Sequence, residues 1–338
     1  MKKTYDVREK VVRAVVQDRY GLDALRVDEV TAPVPGSGEV LVRVEAAGVD
    51  RGTWHLATGL PYLARLGIGL RRPRYRIPGR DVAGTVEAVG PRVTGFAPGD
   101  PVFGTADGSF AELAVVPVRR LAPRPATLTA VESAAVPVSA LTAYQAVRMA
   151  GVGPGQRVLV VGASGGVGTY AVQMAIAAGA RVTGVCSPGK ADLVRSLGAA
   201  HVIDHTREAV DAEGVRYDIV LDIGGNRRLR ELRRVLTERG TLVVIGGEDG
   251  GRLTGGIQRG IAAVLLSMFV RHRLVMHYSR EVATDLERVT ALIEAGDVRP
   301  VVERVWRLDE AAAAIEHVGA GRARGKSVID VAGRDARR

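Results

Sequence analysis

The sequence predicts an α/β protein in two domains: a β-rich, barrel-like domain and a doubly wound parallel sheet inserted into it. Three observations carry that expectation. Up to about residue 130 the chain runs in short alternating apolar segments divided by turns such as Pro33, Pro35, Gly36, Gly38 and Pro98-Gly99-Asp100. Between residues 157 and 245 short apolar runs alternate with helical stretches, the pattern of a parallel sheet covered on both faces. After residue 278 the pattern is mixed again, so the tail returns to the head. The split domain is expected at residues 1–136 and 278–338, and the inserted one at 137–277.

Each element has its own signal. Residues 11–16 form an apolar run, and residues 39–45 and 81–90 alternate as half-buried strands do. Residues 132–149 are Ala-rich and helical in character despite Pro137. Strands follow at 157–161, 181–186, 218–221 and 241–245, and helices at 166–178, 190–197 and 228–237. Leu229, Leu232, Val235 and Leu236 recur on one helical face. The tail reads as helix 283–295 stopped by Gly296, strand 300–306, helix 308–318 and strand 327–331.

Composition narrows the function classes. A chain of 338 residues exceeds one ordinary core, since domains commonly hold about 150 residues. Hydrophobic residues at 46% and charged residues at 25% exclude a mainly disordered chain. The longest apolar run, 261–270, falls short of the roughly 20 residues that span a bilayer. Lys2, Lys3, Asp6, Arg8 and Glu9 leave no room for a secretory signal there. The only cysteine, Cys186, excludes an internal disulfide and any zinc site of several thiolates. A cytoplasmic protein is expected.

The charge needs a closer reading. Lys and Arg number 47 against 37 Asp and Glu, a net +10, and all but five of the basic residues are arginines. Arg65, Arg71, Arg72, Arg74, Arg76 and Arg80 make one dense stretch with Tyr62 and Tyr75 nearby. No RNA-binding motif or recognition helix surrounds it, so it reads as a solvated loop rather than a nucleic-acid interface. The positive field suits an anionic cofactor or substrate.

The strongest motif is Gly162-Ala163-Ser164-Gly165-Gly166-Val167-Gly168, set between a buried strand and a helix. Glycines there let the backbone approach a pyrophosphate, and the helix N-terminus supplies amide donors. The next strand ends at Ser187, with Lys190 beyond, where an NAD site places a carboxylate for the ribose hydroxyls. A hydroxyl and an ammonium suit a 2′-phosphate instead, so NADPH is the expected cofactor.

With that loop in place, the chain resembles the medium-chain dehydrogenase/reductase superfamily, in its zinc-independent quinone oxidoreductase branch. The resemblance rests on Pro35-Gly36-Ser37-Gly38-Glu39-Val40, Ala46-Ala47-Gly48-Val49-Asp50, Pro78-Gly79-Arg80-Asp81-Val82-Ala83-Gly84, Pro98-Gly99-Asp100-Pro101-Val102-Phe103-Gly104, Ala135-Val136-Pro137-Val138-Ser139-Ala140-Leu141-Thr142-Ala143 and Gly198-Ala199-Ala200-His201-Val202-Ile203-Asp204. It implies a GroES-like catalytic domain split around a Rossmann domain, with the substrate between them. It also implies hydride transfer to quinones, enones or enoyl thioesters, and relatives are often homodimers. Arg80-Asp81 stands where zinc-dependent relatives carry His-Glu, so no metal is expected. Asp50 replaces an asparagine near the nicotinamide, His55 falls where several quinone reductases carry tyrosine, and Tyr62 lies near the tyrosine of enoyl-thioester reductases. His205 replaces a tyrosine that packs by the adenosine phosphate, Thr142 is a cofactor contact, and Gly246 and Gly247 leave room for the nicotinamide. One of Arg322, Arg324 and Lys326 is expected to reach the 2′-phosphate.

Hydride addition to an enone leaves an enolate that needs a proton or hydrogen-bond donors. His55 titrates near neutrality, Tyr62 is a weaker acid, and Asp50 could orient His55 or a ribose hydroxyl. Water is the third candidate donor. The expected partner is a small quinone or enone, neither membrane nor nucleic acid. Two other readings stand beside it: reduction of an enoyl thioester or biosynthetic intermediate, and a non-catalytic, cofactor-bound structural or nucleic-acid-binding protein.

Overall fold

The computed structural model describes residues 10–211, 214–247 and 251–333. Strands β1 (Val11–Val16) and β2 (Arg26–Thr31) form an antiparallel pair at the entrance to the chain. Then follow β3 (Glu39–Val49), β4 (Asp81–Val89), β5 (Pro101–Thr105), β6 (Leu113–Pro117) and β7 (Leu121–Pro123). The inserted sheet contributes β8 (Arg157–Val161), β9 (Arg181–Cys186), β10 (His201–Asp204), β11 (Tyr217–Asp222), β12 (Leu236–Val244) and β13 (Arg273–Met276). The tail supplies β14 (Val302–Arg307) and β15 (Lys326–Asp330).

Two larger sheets result. One is parallel in the order β10-β9-β8-β11-β12-β13. It is a Rossmann arrangement, with two three-strand halves meeting between β8 and β11. The other has seven strands in the order β14-β15-β3-β4-β5-β7, with β6 also on β3. The tail does return to the head, because β15 pairs antiparallel with β3 from Ser327↔Val49 to Asp330↔Ala46. This is the GroES-like domain, and the whole is α/β as expected.

Local chemistry sets the element ends. Thr129 and Glu132 form a reciprocal cap on the short helix Ala130–Ala134. Pro137, which has no amide hydrogen to donate, opens a second helix, Pro137–Ala150, instead of lying inside one. The single helix expected over 132–149 is therefore two. The helix expected to reach Thr237 stops at Arg234, and β12 begins at Leu236 because Tyr217 pairs with it across the sheet. β13 had no counterpart among the expected strands. Beside it the helix Ile257–Ser267 leaves Leu265, Met268 and Phe269 exposed, and no described helix is long and apolar enough to cross a membrane.

A buried ion pair inside the GroES-like domain ties it to the inserted one through the partners it takes there. Lys326 opens β15 with only 1% exposure and places Nζ 2.8 Å from Asp81 Oδ2 and 3.2 Å from Ser139 Oγ. Asp81 Oδ1 accepts the Val138 amide at 2.7 Å, one residue into the Pro137–Ala150 helix. Gly325, one residue earlier, donates its amide to Ser164 O of the glycine loop at 2.8 Å. Burial pushes the Asp81 carboxyl up to about 6, against the pull of Lys326 and the Val138 amide.

A sharp stability test follows. Lys326→Met keeps the burial of Asp81 and removes its counter-charge, so the carboxyl pKa rises further above its unfolded value. Stability from such a group is present below the unfolded pKa and lost as pH rises through the folded one. Urea unfolding should show a loss of about 3–5 kcal/mol at about pH 8 that shrinks by about pH 5, while Asp81→Leu with Lys326→Met should be near neutral. A loss independent of pH would assign Lys326 to packing alone.

Candidate active site

The glycine loop joins β8 to the helix Gly166–Ala177, and its shape is dictated by contacts a side chain would spoil. Gly162 has φ 85°, and a Cβ there would lie 2.9 Å from Gly224 N. A Cβ on Gly168 would strike the Gly162 carbonyl, so the helix and the strand meet backbone to backbone. Ala163 and Ser164 are buried, while Gly165, Gly166 and Val167 remain partly exposed. The first turn of this helix thus offers open amides and the positive end of its dipole.

At the end of β9 the expected phosphate readers gather. Ser187 Oγ lies 3.2 Å from His205 Nε2. Lys190 Nζ donates to Gly321 O at 3.0 Å and Ala323 O at 2.8 Å, and burial lowers its pKa. An ammonium has three donors, so one remains for an anion. Arg324 is exposed next to this group, its amide bonded to Glu303 at 3.0 Å. Lys326 does not belong here. Its ammonium is spent on Asp81 and Ser139 beneath Gly166, which corrects the expectation that it reaches the 2′-phosphate.

The far half of the sheet ends in a backbone-lined floor. Gly225, with φ 67°, packs on Gly246 and Gly247, while Gly247 packs on Gly255 and Gly256. A Cβ on Gly255 would strike Pro61 of the other domain, so the domains touch at this point. Asp222 closes β11, wholly buried, and pairs with Arg259, whose Nε reaches Arg227 O at 2.9 Å. Burial raises the Asp222 pKa against that guanidinium. Sequence reading missed Arg259, because nothing local marks a partner 37 residues from Asp222. Thr142 is nearly buried, with Oγ1 on Val138 O at 2.7 Å.

The proposed catalytic side chains sit on the first domain. Asp50 caps the helix Arg51–Thr58 through Oδ1 and the Thr53 amide at 2.8 Å, and its Oδ2 is buried without a partner. His55, on that helix, places Nδ1 2.5 Å from Leu60 O. A carbonyl only accepts, so Nδ1 carries the proton and Nε2 is left as an acceptor. Burial lowers the His55 pKa, the Leu60 carbonyl opposes it, and Arg51 adds a smaller downward push. Tyr62 is 42% exposed, under the guanidinium of Arg65 at 4.8 Å and that of Arg252, from the other domain, at 5.9 Å.

The basic stretch is solvated as expected at Arg71, Arg72, Arg74 and Arg76, whereas Arg65 and Arg80 are half-buried. Arg65 stacks on Tyr20 at 4.4 Å, Arg76 bonds Asp18 at 2.9 Å, and Arg80 pairs with Asp107 and Glu281. Arg120 and Thr105 join the same cluster around Asp107 and Glu281. At the Arg80-Asp81 step one residue is itself a cation and the other holds Lys326, and no group of three or more metal-ligating side chains occurs among the described residues. Zinc does not fit these residues.

Comparison with known proteins agrees with this architecture. Residues 36–126 match the model of the alcohol dehydrogenase GroES-like domain, and residues 197–329 match that of a zinc-binding dehydrogenase domain. A mitochondrial NAD(P)H oxidoreductase of Danio rerio is 34% identical, over 96% of this chain and 92% of its own length. A chloroplastic quinone-oxidoreductase of Triphysaria versicolor is 32% identical over 95% and 99%. The quinone oxidoreductase of Coxiella burnetii superposes with a TM-score of 0.82 at 25% identity, covering 95% of this chain and all of that one, 100%.

The proton on His55 can be located directly. In an NMR titration of its ring, the pKa should fall below the ordinary value of about 6.5, with Nδ1 protonated in the neutral form. Substituting His55→Gln identifies the signal. A pKa at or above the ordinary value would return His55 to the role of a charged donor at neutral pH.

Proposed function

Because the chain belongs to the quinone oxidoreductase-like branch of the medium-chain dehydrogenase/reductase superfamily, we propose that it is an NADPH-dependent reductase of quinones or α,β-unsaturated carbonyls that works without metal. The observation that carries the reading is the cradle. A loop closed backbone to backbone at Gly162 and Gly168 leads into open helix amides, and a backbone-lined floor continues it at the far half of the sheet. When bound there, NADPH supplies a hydride to an electrophilic carbon of the substrate.

The chain's own residues do the rest. The amides of Gly166 and Val167 would hold the pyrophosphate, the Gly165 amide being bonded to the Gly162 carbonyl at 3.2 Å, and Ser187, Lys190, His205 and Arg324 would hold the 2′-phosphate. Gly246 and Gly247 would leave depth for the nicotinamide, and the substrate would be held against it on the side of Pro61 and Tyr62. Asp50 stiffens the helix that carries His55. With its only proton committed to Leu60 in the neutral form, His55 accepts rather than donates, for instance from a ribose or substrate hydroxyl. The Tyr62 phenol or water then supplies the proton to the enolate. Arg80, held by two carboxylates, occupies the step that holds metal ligands in zinc-dependent relatives.

Turnover decides among the readings. NADPH oxidation should proceed with small enones or quinones and survive chelation, with no stoichiometric zinc in metal analysis. Activity confined to enoyl thioesters would favour the alternative substrate. Cofactor binding with no turnover on any of these would favour a cofactor-bound structural role.

Cofactor choice has its own test. A charge-assisted contact to phosphate is typically worth roughly 1.5–3 kcal/mol, tenfold or more in affinity. Lys190→Ala should weaken NADPH by at least that factor. It should cost NADH less, the residue being the bridging of the Gly321 and Ala323 carbonyls. Equal losses for both cofactors would make Lys190 a brace for the tail loop only.

A further inference from the structure

The last strand of the parallel sheet leads to a histidine whose ring is unused. His277 follows β13 and stays in register, its amide donating to Val244 O at 2.9 Å. Met276 packs its side chain against Gly260 of the helix on one face, so alternation turns His277 to the other. There the Pro137–Ala150 helix passes, with Thr142 close to the ring. His277 is 5% exposed, and neither Nδ1 nor Nε2 reaches full hydrogen-bond geometry with a described group, although the Thr142 carbonyl lies close enough to act on the ring. Two residues on, Ser279 Oγ is also buried without one.

Burial holds the ring below its ordinary pKa, with the Thr142 carbonyl pulling the other way. A neutral imidazole keeps one donor and one acceptor. With the Thr142 carbonyl beside one side of the ring, a ring nitrogen left unpaired in a buried place still costs folding free energy, and native proteins keep such groups where a ligand or water completes them. The position indicates which ligand. The strand order divides the sheet into a β8–β10 half, with the phosphate readers, and a β11–β13 half, with the glycine floor. His277 closes the second half, where the nicotinamide ring would lie. The polar handle of that ring is a carboxamide, which has an acceptor and a donor.

We infer that His277 is a cofactor-positioning residue that hydrogen-bonds the nicotinamide carboxamide and so fixes the rotation of the ring. The inference rests on the proposed use of a nicotinamide dinucleotide.

The test compares two ligands on three proteins. Titration calorimetry measures NADP⁺ and adenosine 2′,5′-bisphosphate, which lacks the nicotinamide, on the wild type, His277→Phe and His277→Gln. Thermal melts of the ligand-free proteins run alongside. His277→Phe should weaken NADP⁺ roughly tenfold, the scale of one hydrogen bond to a buried partner. It should leave the bisphosphate unchanged and should not lower the ligand-free melting temperature, since it removes an unpaired polar ring. His277→Gln should recover part of the NADP⁺ affinity. Equal weakening of both ligands, unchanged NADP⁺ affinity, or a lower melting temperature with affinity intact would overturn the inference in favour of a structural or water-bound ring. A wild type that binds neither ligand would overturn the proposed function itself, and the inference with it.

Discussion

Two opposite charges buried where water does not reach them, Lys326 and Asp81, impose the arrangement of nearly everything around the cleft. An ion pair in such a place tolerates no misfit, because its attraction must offset the desolvation of both groups. Asp81 comes from the antiparallel sheet, and the amide and hydroxyl that complete the pair come from the helix Pro137–Ala150. Lys326 comes from the returning tail, and its stem runs beneath Gly166 of the cofactor loop, where a Cβ would lie 3.1 Å from Lys326 Cδ. Gly48 is crowded on the other side by the Ala134 carbonyl, 2.3 Å from where a Cβ would lie, and then by Asp81 Oδ2 at 2.6 Å. Small residues line this junction because the charges need the space.

That junction also settles how the site is charged. Both cations near the Arg80-Asp81 step are fixed by carboxylates: Lys326 by Asp81, and Arg80 by Asp107 and Glu281. Glu281 follows the end of the parallel sheet, so the Arg80 cluster is a second tie between the tail segment and the first domain. A metal would have to displace side-chain cations that are already hydrogen-bonded in place. Basic groups that are not held by carboxylates include Lys190, bonded to the Gly321 and Ala323 carbonyls, and Arg252, set over Tyr62.

The sequence showed what is local and hid what is not. The alternation of strands and helices, the split of the first domain and the glycine loop are each set by periodicity or by backbone conformation within a few residues. Ser187 and Lys190 were legible from their place at the end of the second strand of the parallel sheet, whereas His205, which lies 3.2 Å from Ser187 Oγ, was expected there from the resemblance alone. Lys326 was misread because its true partner lies 245 residues away, and a lysine beside Arg322 and Arg324 looks like a surface residue. β13 was missed since four residues at a sheet edge carry too short a pattern, and with it went His277. The paired arginines of the 65–80 stretch were hidden for the same reason: Arg80 meets Glu281 across 201 residues.

The floor of the nicotinamide half shows why no motif announced it. Gly225, Gly246, Gly247, Gly255 and Gly256 meet backbone on backbone, and Pro61 of the other domain rests on Gly255. Depth there comes from missing side chains in three separate loops, which no single stretch of sequence displays. One added Cβ at Gly247 or Gly255 would lift that segment against its neighbour or against Pro61, and so change the cleft and the domain contact together. The depth of the site and the closeness of the two domains are one packing problem. Beside that contact the Tyr62 ring carries a guanidinium from each domain, Arg65 and Arg252, so the same edge is bridged by cation–π contact as well as by Pro61.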